Sequence, residues 1–271
     1  MSPGRCLVFT DLDGTLLDHG DYTFQSALPA LERIQREGWP LIMVTSKTRP
    51  EVEELQGRMG LVQPFVVENG GGIFFPSKYG HLDLPHAGAR EDYRVVTLGR
   101  PYREIRSFLQ DLPEDLSVRG FGDMSPREVQ EVTGLPEKRA RMARAREFTE
   151  PFLPPDGGRL EALQARAREA GLTIVRGGRF FHLMDEGQDK GRAVRIVRKA
   201  FEAYWNESCK TVGLGDSRND LPMLQAVDVP VVVPNPDGSP PEISRDHVVR
   251  ARKPGSAGWN EALQRILDGI V

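Results

Sequence analysis

The sequence predicts an α/β fold in which a parallel sheet forms the core and an α+β cap domain is inserted into that core. Strand-like and helix-like patterns alternate in residues 7–68, and the alternation returns in residues 191–270. Between these regions, several strand-like runs follow one another without a helix. Parallel neighbours need a crossover connection, usually a helix, whereas strands joined without one pair antiparallel. The chain therefore predicts a discontinuous core, residues 1–84 and 186–271, and a cap at residues 85–185.

The first third of the chain predicts the first strands of the core. Short apolar runs at residues 7–10, 40–45 and 65–68 are typical of strands buried on both faces. Helical patterns lie between them. The pattern at residues 24–37 ends before Gly38, and the pattern at 49–59 carries Pro50 in its first turn. This βαβα order indicates right-handed crossovers and a parallel sheet.

The middle and last thirds complete the prediction. In the cap we expect strands at residues 95–98, 116–120, 173–176 and 180–184, and helices at 102–112, 126–133, 137–146 and 158–170. In the second part of the core we expect helices at 191–204, 219–226 and 258–270, and strands at 211–214 and 229–233. Turn-rich segments at 76–89 and 185–189 are the expected crossings between the two parts.

Composition limits the classes of partner. The 271 residues carry a formal net charge of −3, which gives no reason to expect a nucleic acid or an anionic membrane as partner. No apolar run approaches 18 residues and no apolar leader is recognisable, so we expect a cytoplasmic protein. Cys6 and Cys209 lie in or beside apolar runs, which predicts buried free thiols rather than a disulfide framework.

Two aspartates follow the first predicted strand in the segment DLDGT at residues 11–15. Two carboxylates at a strand end are costly unless a positive group lies between them, and a hard divalent cation such as Mg²⁺ prefers oxygen ligands. In this arrangement Asp11 is the candidate nucleophile toward phosphorus, and Asp13 is the candidate general acid and base. The alternative is a loop with two solvated aspartates. The strand before the pair and the Gly-Thr after it favour the functional interpretation.

The second predicted strand ends at a hydroxyl group and a cation. Thr45 is the candidate donor to a phosphoryl oxygen, and Ser46 and Lys47 follow it as further phosphate-binding candidates. The alternative is that this segment only begins the next helix, since Thr48 is placed to cap the helix that opens at residue 49.

Two further segments follow the cap. Lys190 starts a predicted helix, where a lysine is electrostatically unfavourable, and a bound phosphate would resolve the conflict. A surface lysine is the alternative. The segment GLGDSRND at 213–220 brings Asp216 to the end of another strand as a metal-ligand candidate with Asp11 and the main-chain carbonyl of Asp13. Asn219 and Asp220 are expected to support these groups, although capping of the next helix by Ser217 or Asn219 is also possible.

These four segments, in this order, resemble the four motifs of the haloacid dehalogenase-like phosphatases, which have a Rossmann-like core. Finer features resemble the mannosyl-3-phosphoglycerate phosphatase family of that superfamily. They are VTSKTR at 44–49, VENGGG at 67–72, REF at 146–148, GGRFFH at 177–182 and QDKG at 188–191. The resemblance implies Mg²⁺-dependent hydrolysis of mannosyl-3-phosphoglycerate to mannosylglycerate, a compatible solute, through an aspartyl phosphate.

That substrate adds a glycerate carboxylate and a sugar to the phosphate, so the resemblance implies further binding residues. Arg179 and His182, on a predicted cap strand, are candidates for the carboxylate and the hydroxyls, and Arg146 is another. A surface salt bridge for Arg179, a core histidine for His182 and a solvated helix face for Arg146 are the alternatives. Asn69, before three glycines, and Gln188, in the QDKG segment, are also substrate-binding candidates; an ordinary turn asparagine is the alternative for Asn69.

Other functions remain open at this stage. The enzyme alternatives are phosphatases of glucosyl-3-phosphoglycerate, sucrose 6-phosphate or phosphomannose. The sequence does not separate a mannosyl from a glucosyl substrate, because these two sugars differ in the stereochemistry of one hydroxyl. A regulator that binds phosphosugars without catalysis is disfavoured by the intact set Asp11, Asp13, Lys190 and Asp216. A P-loop kinase is excluded because the chain has no G-x-x-x-x-G-K-[ST] segment.

Overall fold

A computed structural model describes residues 5–155, 158–177, 179–237 and 242–269. Gly178 of the GGRFFH segment and Ile270, the last residue of a predicted helix, lie outside these ranges. The strands are β1 (Cys6–Thr10), β2 (Leu41–Val44), β3 (Phe65–Val67), β4 (Gly72–Pro76), β5 (Gly88–Arg90), β6 (Tyr93–Thr97), β7 (Glu150–Phe152), β8 (Leu172–Gly177), β9 (Phe180–Asp185), β10 (Lys210–Gly215), β11 (Val229–Val232) and β12 (Val249–Arg250). The helices are α1 (Leu28–Arg36), α2 (Arg49–Met59), α3 (Tyr102–Gln110), α4 (Pro126–Thr133), α5 (Glu137–Ala143), α6 (Arg159–Glu169), α7 (Lys190–Trp205), α8 (Leu221–Ala226) and α9 (Gly255–Leu267).

The core is a sheet whose order over the described residues is β12-β11-β10-β1-β2-β3-β4-β6-β5. The strands from β12 to β3 pair in parallel, which confirms the predicted α/β class. The chain runs outward from β1 to β3 on one side and from β10 to β12 on the other. The strand order therefore reverses between β1 and β10, and open α/β sheets bind ligands beyond the carboxyl ends of the strands at such a point.

Helices cover both faces of this sheet. Successive residues of β1 point to opposite faces and are buried on both, so Val8 packs with α1 and α9 while Phe9 packs with α7 and α8. Trp259 of α9 is fully buried, and its indole N–H donates to Thr10 Oγ1 at 3.0 Å. Cys6 and Cys209 are buried free thiols, as predicted. No helix among the described residues is long and apolar enough to cross a bilayer.

The predicted boundary between core and cap needs a correction. The strand expected at residues 95–98 is β6, which pairs antiparallel with β4 in the core sheet and not with a cap strand. Strands β4, β6 and β5 extend the parallel sheet as an antiparallel edge, so neighbouring strands without a helix do not mark the cap here. The part of the chain that lies outside the core sheet begins after Thr97.

The cap sheet has the order β7-β9-β8 and is antiparallel throughout, as expected. Its apolar face packs on α3 and α6 through Ile105, Leu163 and Leu183. The strand predicted at residues 116–120 is wrong: a helical turn at Glu114–Leu116 ends where that strand was expected to begin, and the segment makes one isolated bridge, between Gly120 and Phe152, among the described residues. The third cap strand is β7, which is only three residues long and contains a proline, so no apolar run marks it.

Candidate active site

Strands β1 and β10 bring two of the predicted carboxylates together at the point where the strand order reverses. Asp11 directly follows β1, and its N–H donates to Leu214 O of β10 at 2.9 Å. Asp216 directly follows β10, and its Oδ1 accepts a hydrogen bond of 3.0 Å from Thr15 Oγ1. Both carboxylates are buried. The sheet topology therefore places the predicted nucleophile beside the predicted metal ligand.

Lys190 lies between two buried carboxylates. Its Nζ is 2.6 Å from Asp11 Oδ1 and 2.6 Å from Asp220 Oδ1, and its side chain is fully buried. Lys190 is the first residue of α7, and Asp189 caps that helix by accepting from Arg192 N at 2.7 Å. The surface-lysine alternative is wrong, because the side chain turns away from solvent to the carboxylates.

One ammonium faces three carboxylates in this cluster. Oxygen atoms of Asp11, Asp216 and Asp220 lie within 4.8 Å of one another. Burial and then the charge of Asp220 raise the pKa of Asp11 to about 7, and burial with the charges of Asp220 and Asp11 raises the pKa of Asp216 to about 9. Asp11 and Asp220 more than offset the effect of burial on Lys190, so its pKa lies above the ordinary lysine value. A divalent cation with oxygen ligands fits this excess of negative charge.

Asp220 holds the cluster together, as its predicted supporting position suggested. Its Oδ2 accepts hydrogen bonds from Asp216 N at 3.1 Å, Ser217 N at 3.0 Å and Ser217 Oγ at 2.9 Å. Its Oδ1 contacts Lys190. With both oxygens engaged, Asp220 orients Asp216 and Lys190.

Asp13, the predicted acid/base residue, faces residues 45–47, the predicted phosphate-binding segment. Asp13 Oδ2 lies 2.8 Å from Lys47 Nζ, and Lys47 also approaches Glu51 Oε1 at 3.7 Å. Thr45 Oγ1 is buried and accepts from Lys47 N at 3.2 Å. Glu51 Oε2 accepts from Thr48 N at 2.9 Å, which caps α2. The capping interpretation of this segment is therefore confirmed, and phosphate binding by Thr45, Ser46 and Lys47 stays a prediction.

A cavity of about 510 Å³ opens between core and cap above these groups. Its core side includes Asp11, Asp13, Ser46, Lys47, Asp216 and Asn219. Its cap side includes three predicted substrate-binding residues, Arg146, Arg179 and His182. The cap thus faces the carboxylate cluster across an open cavity and adds two guanidinium groups to its lining.

The three cap residues are held in different ways. Arg146 donates to Ala143 O and, across to the core, to Ser46 O, both at 2.8 Å. Arg179 is exposed and donates to Thr133 O at 2.7 Å. His182 is buried, and its Nδ1 has no hydrogen-bond partner among the described residues. Burial and the charges of Arg146 and Lys190 lower the pKa of His182 to about 3, so the ring is neutral.

Two predicted substrate-binding residues do not line the cavity. Asn69 is buried, and its Oδ1 accepts from Asn219 Nδ2 at 3.0 Å. Gln188 is buried, and its Nε2 donates to Glu68 O. The other polar atom of each side-chain amide, Asn69 Nδ2 or Gln188 Oε1, has no hydrogen-bond partner in the part of the chain that the structure describes. Both residues support the site from behind the cavity surface.

Sequence reasoning missed His19 and Glu68. His19 lines the cavity, and its Nε2 lies 3.7 Å from Asp216 Oδ2. Its place four residues after Thr15, in the turn that leaves the first motif, was the available signal. Glu68 is a fully buried carboxylate just after β3. A charged residue directly after an apolar run is the signal there, although the predicted strand at 65–68 includes it.

Comparison with known proteins agrees with this geometry. Residues 8–82 and 159–240 match the haloacid dehalogenase-like hydrolases. A protein of Persephonella marina named glucosyl-3-phosphoglycerate/mannosyl-3-phosphoglycerate phosphatase is 47% identical over 264 residues, which cover 97% of this chain and 98% of the relative. The chain belongs to the mannosyl-3-phosphoglycerate phosphatase family of haloacid dehalogenase-like hydrolases.

Two further matches extend the comparison. A protein of Methanococcoides burtonii, which has the same name as the Persephonella protein, is 38% identical to this chain over 96% of this chain and 97% of the relative. A haloacid dehalogenase-like hydrolase from Bacteroides thetaiotaomicron superposes with a TM-score of 0.68 at 16% identity, covering 97% of this chain and 99% of that one. The first match confirms the resemblance based on the sequence segments, and the second confirms the fold.

Proposed function

We propose that this hydrolase removes phosphate from mannosyl-3-phosphoglycerate in a Mg²⁺-dependent reaction that yields mannosylglycerate. One observation carries the proposal: Asp11, paired with the buried Lys190, lines the core side of a cavity whose cap side carries Arg146, Arg179 and His182. Glucosyl-3-phosphoglycerate is the second candidate substrate, because the names of the Persephonella and Methanococcoides relatives include both compounds. A cytoplasmic location without nucleic-acid or membrane partners stays a prediction.

In this reaction Asp11 is the nucleophile. A carboxylate oxygen of Asp11 attacks the phosphorus atom, and the bond from phosphorus to the glycerate oxygen breaks. Asp13 gives a proton to that leaving oxygen. Asp13 then takes a proton from a water molecule, which attacks the aspartyl phosphate and releases inorganic phosphate and free Asp11.

Cations and donors stabilise the transferring group. Lys190 contacts Asp11 directly, so its ammonium lies beside the position where charge develops. Ser46 and Lys47 line the cavity next to Asp13 and are placed to donate to phosphoryl oxygens, with Thr45 behind them. When bound, Mg²⁺ neutralises phosphoryl charge. The side chains of Asp11 and Asp216 and the main-chain carbonyl of Asp13 would hold it, with Asn219 and Asp220 in support.

The cap, which we place at residues 98–185 with the remaining chain as core, selects the substrate. The glycerate carboxylate suits the guanidinium groups of Arg179 and Arg146, because bonds between arginine and carboxylate are charge-assisted. A neutral His182 suits a sugar hydroxyl, which both donates and accepts. Asn69 and Gln188 act from behind the cavity surface.

A phosphate-release screen tests the proposal. Purified protein with Mg²⁺ is assayed on mannosyl-3-phosphoglycerate, glucosyl-3-phosphoglycerate, sucrose 6-phosphate, mannose 6-phosphate and 4-nitrophenyl phosphate. We expect the highest kcat/KM on one or both of the glycosyl-3-phosphoglycerates. A preference for sucrose 6-phosphate or mannose 6-phosphate, neither of which carries a carboxylate, would overturn the assignment.

A further inference from the structure

The turn that follows β3 has an unusual backbone. Glu68, Asn69 and Gly70 have φ values of 50°, 58° and 96°, all in the left-handed region. Non-glycine residues adopt this region rarely, and they persist there when surrounding contacts over-determine the conformation. Gly70 has no room for a side chain, since a Cβ atom would lie 2.3 Å from Asp189 O. The surrounding contacts therefore hold the turn in this shape.

The carboxylate of Glu68 supplies many of these contacts. Its Oε1 accepts from Glu147 N at 2.8 Å, and its Oε2 accepts from Phe148 N at 3.1 Å and Thr149 N at 2.8 Å. Thr149 Oγ1 donates to the same Oε2 at 2.8 Å. Main-chain N–H groups can only donate, so the carboxylate is the acceptor for three successive residues of the cap. A buried charge with this many donors is a strong local link between core and cap.

The same turn holds the phosphate-binding segment. Glu68 N donates to Lys47 O at 3.0 Å, and Asn69 N donates to Thr45 O at 2.8 Å. On the cap side, Arg146 directly precedes the three residues that the carboxylate binds. Arg146 in turn donates to Ser46 O and lines the cavity. Glu68 thus connects the segment that carries Ser46 and Lys47 with the arginine that reaches over it.

Both crossings between core and cap also contact this turn. On the way into the cap, Leu98 N and Gly99 N donate to Gly71 O at 2.9 and 3.0 Å. On the way back, the Gln188 side chain donates to Glu68 O, two residues before Lys190. Both segments that join core and cap are therefore hydrogen-bonded to the turn after β3, and these bonds help to fix the position of the cap over the carboxylate cluster.

We propose that Glu68 is a positioning residue, whose carboxylate fixes residues 147–149 against the core and so places Arg146 over Ser46 and Lys47 for the cap-bound part of the substrate. The inference rests on the proposed function for its choice of substrate. It assigns Glu68 no contact with the reacting atoms. Loss of the carboxylate is expected to affect the large substrate and to spare a small aryl phosphate, which makes no use of Arg146.

The test compares Glu68→Gln with Glu150→Gln. Glu150 is a matched control, because it is a fully buried carboxylate that accepts from Gly122 N at 2.8 Å and from the Tyr102 hydroxyl, all within the cap. Glu68→Gln keeps one acceptor oxygen but turns an NH₂ group toward an N–H donor. We expect it to raise KM for mannosyl-3-phosphoglycerate by about 10- to 100-fold, while kcat/KM for 4-nitrophenyl phosphate stays within about twofold.

A second readout does not depend on the substrate. Amide hydrogen exchange of residues 147–149 is expected to accelerate in Glu68→Gln and not in Glu150→Gln. Thr149→Val, which removes only the hydroxyl donor, is expected to shift KM and exchange in the same direction by less. Equal KM values in the two glutamine variants, or unchanged exchange at 147–149, would overturn the inference. A wild-type protein that hydrolyses the aryl phosphate but neither glycosyl-3-phosphoglycerate would refute the proposed function alone, and the exchange data would still decide the role of Glu68.

Discussion

Replacement of Arg179 by alanine tests whether the cap recognises the carboxylate of the substrate. Arg179 is exposed, lines the cavity and donates to Thr133 O, so its removal is expected to cost little folding stability. A hydrogen bond to a charged group is worth roughly 1.5–3 kcal/mol. One such bond to the glycerate carboxylate corresponds to a loss of about 10- to 150-fold in kcat/KM, since each 1.36 kcal/mol is tenfold.

Steady-state phosphate release measures this effect on mannosyl-3-phosphoglycerate and on 4-nitrophenyl phosphate, which lacks the carboxylate. Arg176→Ala is the matched control, because Arg176 is exposed on the same β8–β9 hairpin but does not line the cavity. We expect a selective loss on mannosyl-3-phosphoglycerate for Arg179→Ala and little change for Arg176→Ala. Equal losses on both substrates, or equal losses in both variants, would refute carboxylate recognition by Arg179.

Three further outcomes are expected. Asp13→Asn should lower kcat by about 10²- to 10⁴-fold and weaken Mg²⁺ binding, measured by calorimetry, less than Asp216→Asn does; equal weakening would contradict their separate roles. EDTA should abolish activity and Mg²⁺ restore it, whereas full activity after dialysis against EDTA would exclude the metal. Because the pKa of His182 falls from 6.5 to about 3 on folding, the unfolded state binds more protons in that range. The free energy of unfolding of the wild type should therefore fall as the pH is lowered from 6 to 4. In His182→Gln this fall should be smaller by up to ~1.4 kcal/mol per pH unit, as measured by urea unfolding.

The sequence was sufficient for most of the parallel part of the fold, but it did not indicate the two-residue strand β12. Continuous apolar runs predicted β1, β2 and β3 within one or two residues, because strands buried on both faces need apolar residues throughout. In the antiparallel edge, β6 was predicted but assigned to the wrong sheet, since a strand-like run does not reveal which sheet it joins. Strands β4 and β5 were not predicted, and the expected crossing at residues 76–89 lies in the core sheet at both of its ends. The short strand β7 was missed because its residues Glu150 and Pro151 oppose strand propensity, and tertiary pairing with β9 decides its conformation.

The candidate site was also predicted only in part. Asp11 and Asp216 were predictable because each directly follows a strand and the sheet topology brings the two strand ends together. Lys190 and Asp220 were predictable from their local segments, a lysine that begins a helix and a carboxylate one turn after Asp216. The support of the site was not predictable in the same way. The link from Glu68 to the backbone of residues 147–149 joins positions about 80 residues apart, and no local pattern indicates which N–H groups a buried carboxylate will meet.

Trapping of the covalent intermediate tests the central claim most directly. The enzyme is mixed with mannosyl-3-phosphoglycerate and Mg²⁺, quenched in acid during turnover and reduced with borohydride, which converts an acyl phosphate to an alcohol. Mass spectrometry of the digested protein then locates the modified residue. The account predicts homoserine at position 11 that depends on substrate and is absent from Asp11→Asn. Phosphate release without a reduced residue at position 11, or reduction at another aspartate, would contradict it.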